Sequence, residues 1–363
     1  MPALHLTEYV RVSTSGARAV EHFELEGDSF LAVPQLSYDV DGEPANMNGG
    51  DSNTDLLLLR QSATGFDEVD RLPVPGGEDA EFFQIGDRSF LATASIRSGS
   101  GPYDFAVDSA IFEWIDGRFQ VFQSVPTYAA KQWRHVVVAD RHFLAIAQGL
   151  TLPGHELNNL PSRIYEWTGE RFEPFQDLTL GWGYNWHQFA VGGRVFLAHA
   201  DHVRPSTVFE WTGSEFTPFQ DVAPEHGRAF ASFTRDGEQY LLVAIIQGSS
   251  LLLRWDGGAF VVQDSLARPA AREFAVIEDD DELFVVRVNF IEGTPANPTT
   301  ALTSQLYRWD DGHLIEIEEF PTQGACDVTS WVDPEHGRLV AVSNSLTADV
   351  RFANNVTVYR FQR

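Results

Sequence analysis

The sequence predicts an all-β protein, a seven-bladed β-propeller of four-stranded antiparallel blades, and three observations lead there. The segments AIFEWIDGRFQVFQ, RIYEWTGERFEPFQ, TVFEWTGSEFTPFQ, LLLRWDGGAFVVQD and QLYRWDDGHLIEIE align without gaps and place Trp114, Trp167, Trp211, Trp255 and Trp309 in one column. Each is preceded by a strand that opens on an aromatic or aliphatic pair, and this strand recurs seven times: FLAVPQ, FLATAS, FLAIAQ, FLAHAD, YLLVAI, LFVVRV and LVAVSN, starting at Phe30, Phe90, Phe143, Phe196, Tyr240, Leu283 and Leu339. The final repeat runs out at Arg363 after its third strand, while the β-like segment LHLTEYVRV precedes the first repeat without a place in it.

Each Trp-column segment reads as a hairpin: a β-rich run, a Gly or Asp turn, and a second β-rich run. Two weaker copies complete the set, DLLLLRQSATGFDEVD with Arg60 in the Trp column and VTVYRFQR with Phe361 there. A second hairpin, with a Gly/Asp turn leading into the FLAVA-like strand, precedes each one, so a unit has four strands. Sheets that are apolar on both faces need neighbours on both sides, and a ring of blades supplies them. The N-terminal segment is expected to fill the last blade, with residues 4–12 pairing against residues 356–361. On this reading residues 1–363 form one domain without a linker.

Hydrophobic residues make up 43% of the chain and charged residues 21%, enough apolar material for a large core. A formal charge of −27 opposes binding to nucleic acid and to anionic membranes, which depends on clustered Lys and Arg. Cys326 is the only cysteine, so neither an intrachain disulfide nor a cysteine zinc site can form. No window approaches the roughly 20 apolar residues of a membrane span, and the N-terminus lacks a basic start followed by an apolar run. The expectation is a soluble, cytoplasmic protein.

Long connections on a rigid scaffold are where binding and catalysis concentrate. The turns EGDS, IGDR, ADRH, VGGR, RDGE and TGER are tight, whereas residues 36–53, 96–108, 149–161, 289–303 and 345–354 form long connections on the opposite face. Aligning the innermost strands gives Glu21-His22, Glu81-Phe82, Arg134-His135, His187-Gln188, Ala231-Ser232, Phe274-Ala275 and Thr329-Ser330, a charged arc in blades one to four facing a neutral one. Glu81, His135 and His187 are the candidate acid/base residues, at the mouth of a central channel. Glu21, His22, Arg134, Trp182 and Trp186 are candidate ligand contacts, Trp182 as an exposed platform between two glycines. Packing between blades is the competing reading for Trp133 and Trp186.

Imidazoles and carboxylates at 21, 22, 81, 135 and 187 are ordinary metal ligands, but neighbours on a strand point to opposite faces, and no metal or other cofactor is assigned. The loop YDVDGEPANMNGGDSNTD is rich in oxygen ligands and lacks the flanking helices and downstream Glu of a calcium-binding EF-hand. Phosphate-loop, nucleophile-elbow, zinc-protease and dinucleotide motifs are absent from the sequence.

The W-x(4)-F hairpin, with the FLAVA-like strand before it, resembles the EPTP, or epilepsy-associated, repeat family over essentially the whole chain. Animal members carry the propeller as an extracellular module that binds membrane proteins. This sequence lacks the leucine-rich repeats and disulfides found there, so that role is not implied. Two functions fit the residues: a module binding a small molecule or a protein through its loop-rich face, and a cofactor-free lyase, isomerase or cyclase using the charged arc on a small, partly hydrophobic substrate.

Overall fold

The computed structural model describes residues 4–151 and 159–362. Its strands form seven four-stranded sheets and one two-stranded hairpin, the architecture of a seven-bladed β-propeller. The blades fall into two compact units. One, Met1–Glu78 with Ser98–Tyr103 and Pro269–Arg363, holds blades one, six and seven; the other, Asp79–Arg97 with Asp104–Arg268, holds most of blade two and blades three to five. The sequence showed no boundary between them because the same repeat builds both.

In the first unit, blade one runs Glu21–Leu25, Asp28–Val33, Asp55–Ser62 and Gly65–Pro73, and blade six runs Ala271–Asp279, Glu282–Asn289, Ala301–Asp310 and His313–Gln323. Blade seven contributes Ala325–Asp333, Gly337–Asn344 and Ala353–Gln362 from the C-terminal end of the chain, and His5–Ser15 is its outer strand. Leu6 pairs with Phe361 and Val12 with Val356, the expected register, and the ladder continues to Ser15 opposite Ala353. Two of the long connections are structured. Residues 36–53 are tied by a bridge between Tyr38 and Asp51, and residues 289–303 contain the small hairpin Glu292–Thr294 and Asn297–Thr299. In the first of these, Asp39 is engaged by the N–H groups of Phe352 and Ala353.

Two expected registers in this unit are off by one residue. Arg60 pairs with Phe30, as Glu166 pairs with Phe143, so Gln61 rather than Arg60 stands in the Trp column. In blade six Phe284, not Leu283, holds the Phe position, paired with Arg308 beside Trp309. The innermost pair there becomes Ala275-Val276 in place of Phe274-Ala275.

The second unit shows why the repeat looks as it does. Blades three to five start at Gln132–Val138, Gly183–Val191 and Gly227–Arg235, and their outer strands are Phe172–Thr179, Phe216–Ala223 and Phe260–Leu266. The Gln of each F-Q pair clips the next blade. Gln176 Nε2 donates to the Phe216 carbonyl at 2.7 Å while its Oε1 accepts the Phe216 N–H at 3.0 Å. Gln123 does the same to Phe172, and Gln220 to Phe260.

The Trp column lines the same seams. Arg194 lies 4.9 Å from the Phe196 ring, 4.8 Å from Phe219 and 5.3 Å from Trp255 of the next blade, and holds Glu210 through Nε and Nη2. Arg88 and Arg141 repeat the arrangement with Trp167 and Trp211. The tryptophans are therefore packing residues, held by ring contacts and a cation on the ring face. Of the long connections at 96–108 and 149–161, residues 152–158 lie outside the described residues.

Candidate functional site

A common reference is the first-strand residue opposite the second strand's Phe: Phe23, Val136, Phe189, Phe233, Ile277 and Trp331. Phe83 occupies it in blade two, where it stacks on Phe90 at 5.4 Å as Phe23 does on Phe30. Glu21, Glu81, Arg134 and His187 lie two residues before it, and His22 and His135 one residue before.

The structure brings Glu81, Arg134 and His187 into one electrostatic group. Glu81 Oε2 pairs with Arg134 Nη1 at 3.0 Å, and its Oε1 accepts the His135 N–H at 2.8 Å. Burial raises the Glu81 carboxyl above its usual range, against the pull of Arg134 and that N–H. His187 Nε2 meets Ser232 Oγ at 2.9 Å, and burial, with Arg134 behind it, lowers its pKa to about 3. Its imidazole is therefore neutral at pH 7, a weak base rather than one poised near neutrality.

His135 points the other way, as neighbours on a strand must. Its ring stacks on Phe83 at 4.5 Å and meets His142 Nδ1 at 3.0 Å, in the seam between blades two and three. Burial, then the charges of His142 and Arg134, lower its pKa to about 4. His22, in the other unit, repeats this placement, stacked on Trp331 at 4.4 Å with its pKa lowered by burial to about 4. Glu21 is half-buried opposite Ala32. Among the described residues no three His, Cys, Asp or Glu side chains are grouped as a metal ion requires.

Trp186, a candidate ligand contact, is 0% exposed, packed 4.2 Å from His199 and 6.0 Å from Phe209, and belongs to the core. Its N–H donates to Gln132 Oε1, one of a series in which Asp79 takes the Trp133 N–H and Asn185 the Phe230 N–H. Trp182 is half-buried rather than a bare platform. Its backbone N–H is held by Asp201, and its ring meets His202 edge-on at 4.8 Å. The glycines beside it have a packing cause. A Cβ on Gly183 would stand 2.6 Å from His199 Nε2 and from Ser162 Oγ, and one on Gly181 would collide with the Asp201 carboxylate.

Three residues further toward the start of each first strand lies a position the strand alternation hides. It holds Arg18, Glu78, Lys131, Tyr184, Arg228, Arg272 and Cys326 in blades one to seven. In blades four to seven the ladder shifts register across this residue, at Gly183/Asn185, Gly227/Ala229, Ala271/Glu273 and Ala325/Asp327. A bulge of this kind re-aims one side chain out of the pleat. Side chains at this position meet in each unit. In the first, Arg18 lies 3.4 Å from Glu78 and 3.3 Å from Cys326 Sγ.

In the second unit, Lys131 Nζ lies 5.2 Å from the centre of the Tyr184 ring and Arg228 Cζ 4.0 Å from it. Arg228 also donates to His202 Nδ1 at 3.0 Å, which places the proton of the neutral imidazole on Nε2. Burial, then Arg228, His226 and Lys131, lower the His202 pKa to about 3. His226 sits beside it at 5.0 Å between ring centres, on a backbone with φ of 76°. Gly16, Gly76 and Gly324 occupy the equivalent left-handed position in three other blades, and Ala129 and Ala270 in two more. Keeping a side chain there opposes the steric preference of L-residues and places an imidazole in the cluster.

Comparison with known proteins identifies the repeat. The EPTP domain matches residues 7–52, 118–168, 171–212 and 215–256. The chain belongs to the EPTP repeat family. Three of these EPTP segments, 118–168, 171–212 and 215–256, start at or just before the outer strand of one blade and end just past the Trp of the next. The repeat and the blade are thus out of phase by one strand, the offset that leaves His5–Ser15 to complete blade seven.

The human thrombospondin-type laminin G domain and EAR repeat-containing protein is 31% identical over 115 residues, 31% of this chain and 15% of the relative. Its mouse counterpart is 32% identical over 125 residues, 34% of this chain and 17% of the relative. The chain thus matches less than a fifth of the length of these curated relatives. Among solved structures, the SapL1 lectin in complex with alpha methyl fucoside aligns over 86% of this chain and 97% of its own, at 11% identity and a TM-score of 0.49.

The residues that alignment of the EPTP strands overlooked are those at the bulge. Two signals stood in the sequence. The seven-fold alignment, continued three residues toward the N-terminus, runs into Arg18, Glu78, Lys131, Tyr184, Arg228, Arg272 and Cys326; and Lys131 is the only lysine among 25 basic residues.

Proposed function

We propose that this EPTP propeller is a binding module that takes a small ligand at the N-terminal ends of the first strands of blades three to five. The observation that carries the reading is the bulged position, where Tyr184 and Arg228 leave the pleat, Tyr184 meeting Lys131, Trp182 and His202 and Arg228 meeting Tyr184 and His202. A pocket of aromatic planes with a few convergent polar groups is the common form of a small-molecule site. The competing acid/base reading rests on Glu81, whose raised pKa suits a proton donor, with His135 and His187. Both Glu81 oxygens are engaged, and both histidines are held neutral with pKa values of about 4 and about 3, far from the range in which an imidazole exchanges protons efficiently at pH 7.

The test is a thermal-shift screen of sugars, organic acids, amines and nucleotides, with each stabilising compound then incubated with the protein and followed by mass spectrometry. Binding predicts compounds that stabilise the parent and His187→Gln alike, fail with Tyr184→Ala, and are recovered unchanged. Consumption of a compound by the parent, lost in Glu81→Gln or His187→Gln, would replace this reading with the enzyme.

A further inference from the structure

We propose that Tyr9 is a nucleophile, with His336 as its base, that accepts the acyl group of an activated ester at the outer strand of blade seven. All the residues involved belong to the first unit, and the proposal is independent of the binding reading above. Tyr9 is the residue the ladder skips at the outer-strand bulge, the position held by Phe122, Phe175 and Phe219 in blades two to four. There each phenylalanine packs under an arginine that also covers the column Trp of the next blade. Between blades seven and one both apolar partners are exchanged for polar residues: Tyr9 stands for the Phe and Gln61 for the Trp. Polar side chains in a packed seam carry a desolvation cost that the repeat's own residues avoid, so packing by itself does not account for the exchange.

The exchanged residues are joined by one line of hydrogen bonds. Gln61 Nε2 donates to Asp333 Oδ2 at 2.6 Å, Asp333 Oδ1 holds His336 Nδ1 at 2.7 Å, and His336 Nε2 meets the Tyr9 hydroxyl at 3.1 Å. Burial works against the Asp333 carboxylate, but the His336 N–H and imidazole, Gln61 and the Glu335 N–H together hold its pKa below the usual range, so it only accepts. His336 Nδ1 therefore carries a proton, and Nε2 of the neutral ring accepts from the Tyr9 hydroxyl. This is the order of a nucleophile, its base and the group that orients the base. Arg360 adds a positive charge 4.4 Å from the centre of the Tyr9 ring, and its Nε has no acceptor among the described residues. A cation fixed there favours the negative charge that develops during attack.

In the step, the Tyr9 oxygen bonds to the carbonyl carbon while its proton passes to His336 Nε2. The bond from that carbon to the leaving oxygen or sulfur breaks, and the imidazolium returns the proton to the leaving group. The products are a tyrosyl ester and a free phenol or thiol, with no change of oxidation state. A tyrosyl ester is itself activated, so the donor's leaving group must depart at least as readily as a phenolate. That selects aryl esters and thioesters over alkyl esters.

The probe is p-nitrophenyl acetate, with acetylated peptides mapped by mass spectrometry. Tyr9 should be acetylated roughly tenfold or more faster than the other half-buried tyrosines, Tyr38, Tyr103 and Tyr184, and His336→Gln should remove that advantage. Asp333 acts through the imidazole as a positioning residue. Asp333→Asn should slow the reaction and displace the His336 ring proton from Nδ1, read by nitrogen-15 NMR of labelled histidine. Tyr9→Phe restores the repeat's own residue, so it should fold, lose acetylation at this position and move the Nε2 signal of one histidine. If His336→Gln fails to fold, that signal carries the test in the parent: the same imidazole must hold its proton on Nδ1. Acetylation of Tyr9 no faster than that of the other half-buried tyrosines overturns the proposal. So does an unchanged rate in a folded His336→Gln, or a parent imidazole with its proton on Nε2.

Discussion

Replacing Gln176 by Met tests the amide clip between blades three and four. Methionine keeps most of the volume and removes both hydrogen bonds, the 2.7 Å donation to the Phe216 carbonyl and the 3.0 Å acceptance of its N–H. Each bond contributes about 1 kcal/mol net, and two backbone groups left unpaired in a seam add about 1–3 kcal/mol, so the expected cost is about 3–5 kcal/mol. Phe216 is 1% exposed, which limits rescue by water. The assay is urea unfolding, with the midpoint lowered at unchanged slope; Gln123→Met and Gln220→Met should match, because their clips have the same partners and spacing. Gln176→Glu adds a check on mechanism. An ionised carboxylate still accepts the N–H but faces the carbonyl with no proton to donate, so its folded pKa lies above the unfolded value of about 4.3. The protonated form restores the clip. This variant is therefore most stable below the unfolded pKa and loses stability as pH rises through the folded pKa. A cost below about 0.5 kcal/mol for Gln176→Met, or a pH-independent difference between Gln176→Glu and the parent, would refute the clip as a source of stability.

His199 offers a pH test in the opposite direction: burial lowers its folded pKa to about 3 from 6.5, so the stability of the neutral form is complete above 6.5 and lost as pH falls toward 3. His199→Gln should remove up to about 1.4 kcal/mol per pH unit of the slope in that window, read by urea unfolding between pH 4.5 and 7. Trp211→Ala should cost about 3 kcal/mol by the same assay, since the ring packs on Phe143, Phe175 and Phe216 under Arg141. Deleting the His5–Ser15 strand bares the edge of Ala353–Gln362 and should lower the melting temperature and promote association, measured by calorimetry and light scattering.

The sequence by itself determined the blade and its count. Period-two alternation, Gly/Asp turns and the aromatic columns are local properties, and an apolar strand with two buried faces admits few packings, so seven repeats imply seven sheets. Closure was legible for the same reason: an orphan strand and an incomplete blade match, and Leu6 does face Phe361. The Arg60/Gln61 and Phe274/Ala275 slips show the limit of that reading, since one residue of misalignment moves a side chain to the other face and the apolar pattern of these strands tolerates either choice. Tertiary structure decided how the candidate residues are placed. Whether His135 faces Arg134's neighbours or the Phe83 seam depends on packing between blades, and the direction of Tyr184 and Arg228 depends on a bulge that breaks the alternation on which strand-based inference relies. Lys131 was visible as the one lysine, but that it and Arg228 both lie against the Tyr184 ring is set by three segments about 50 residues apart in sequence, and only the folded chain brings them together.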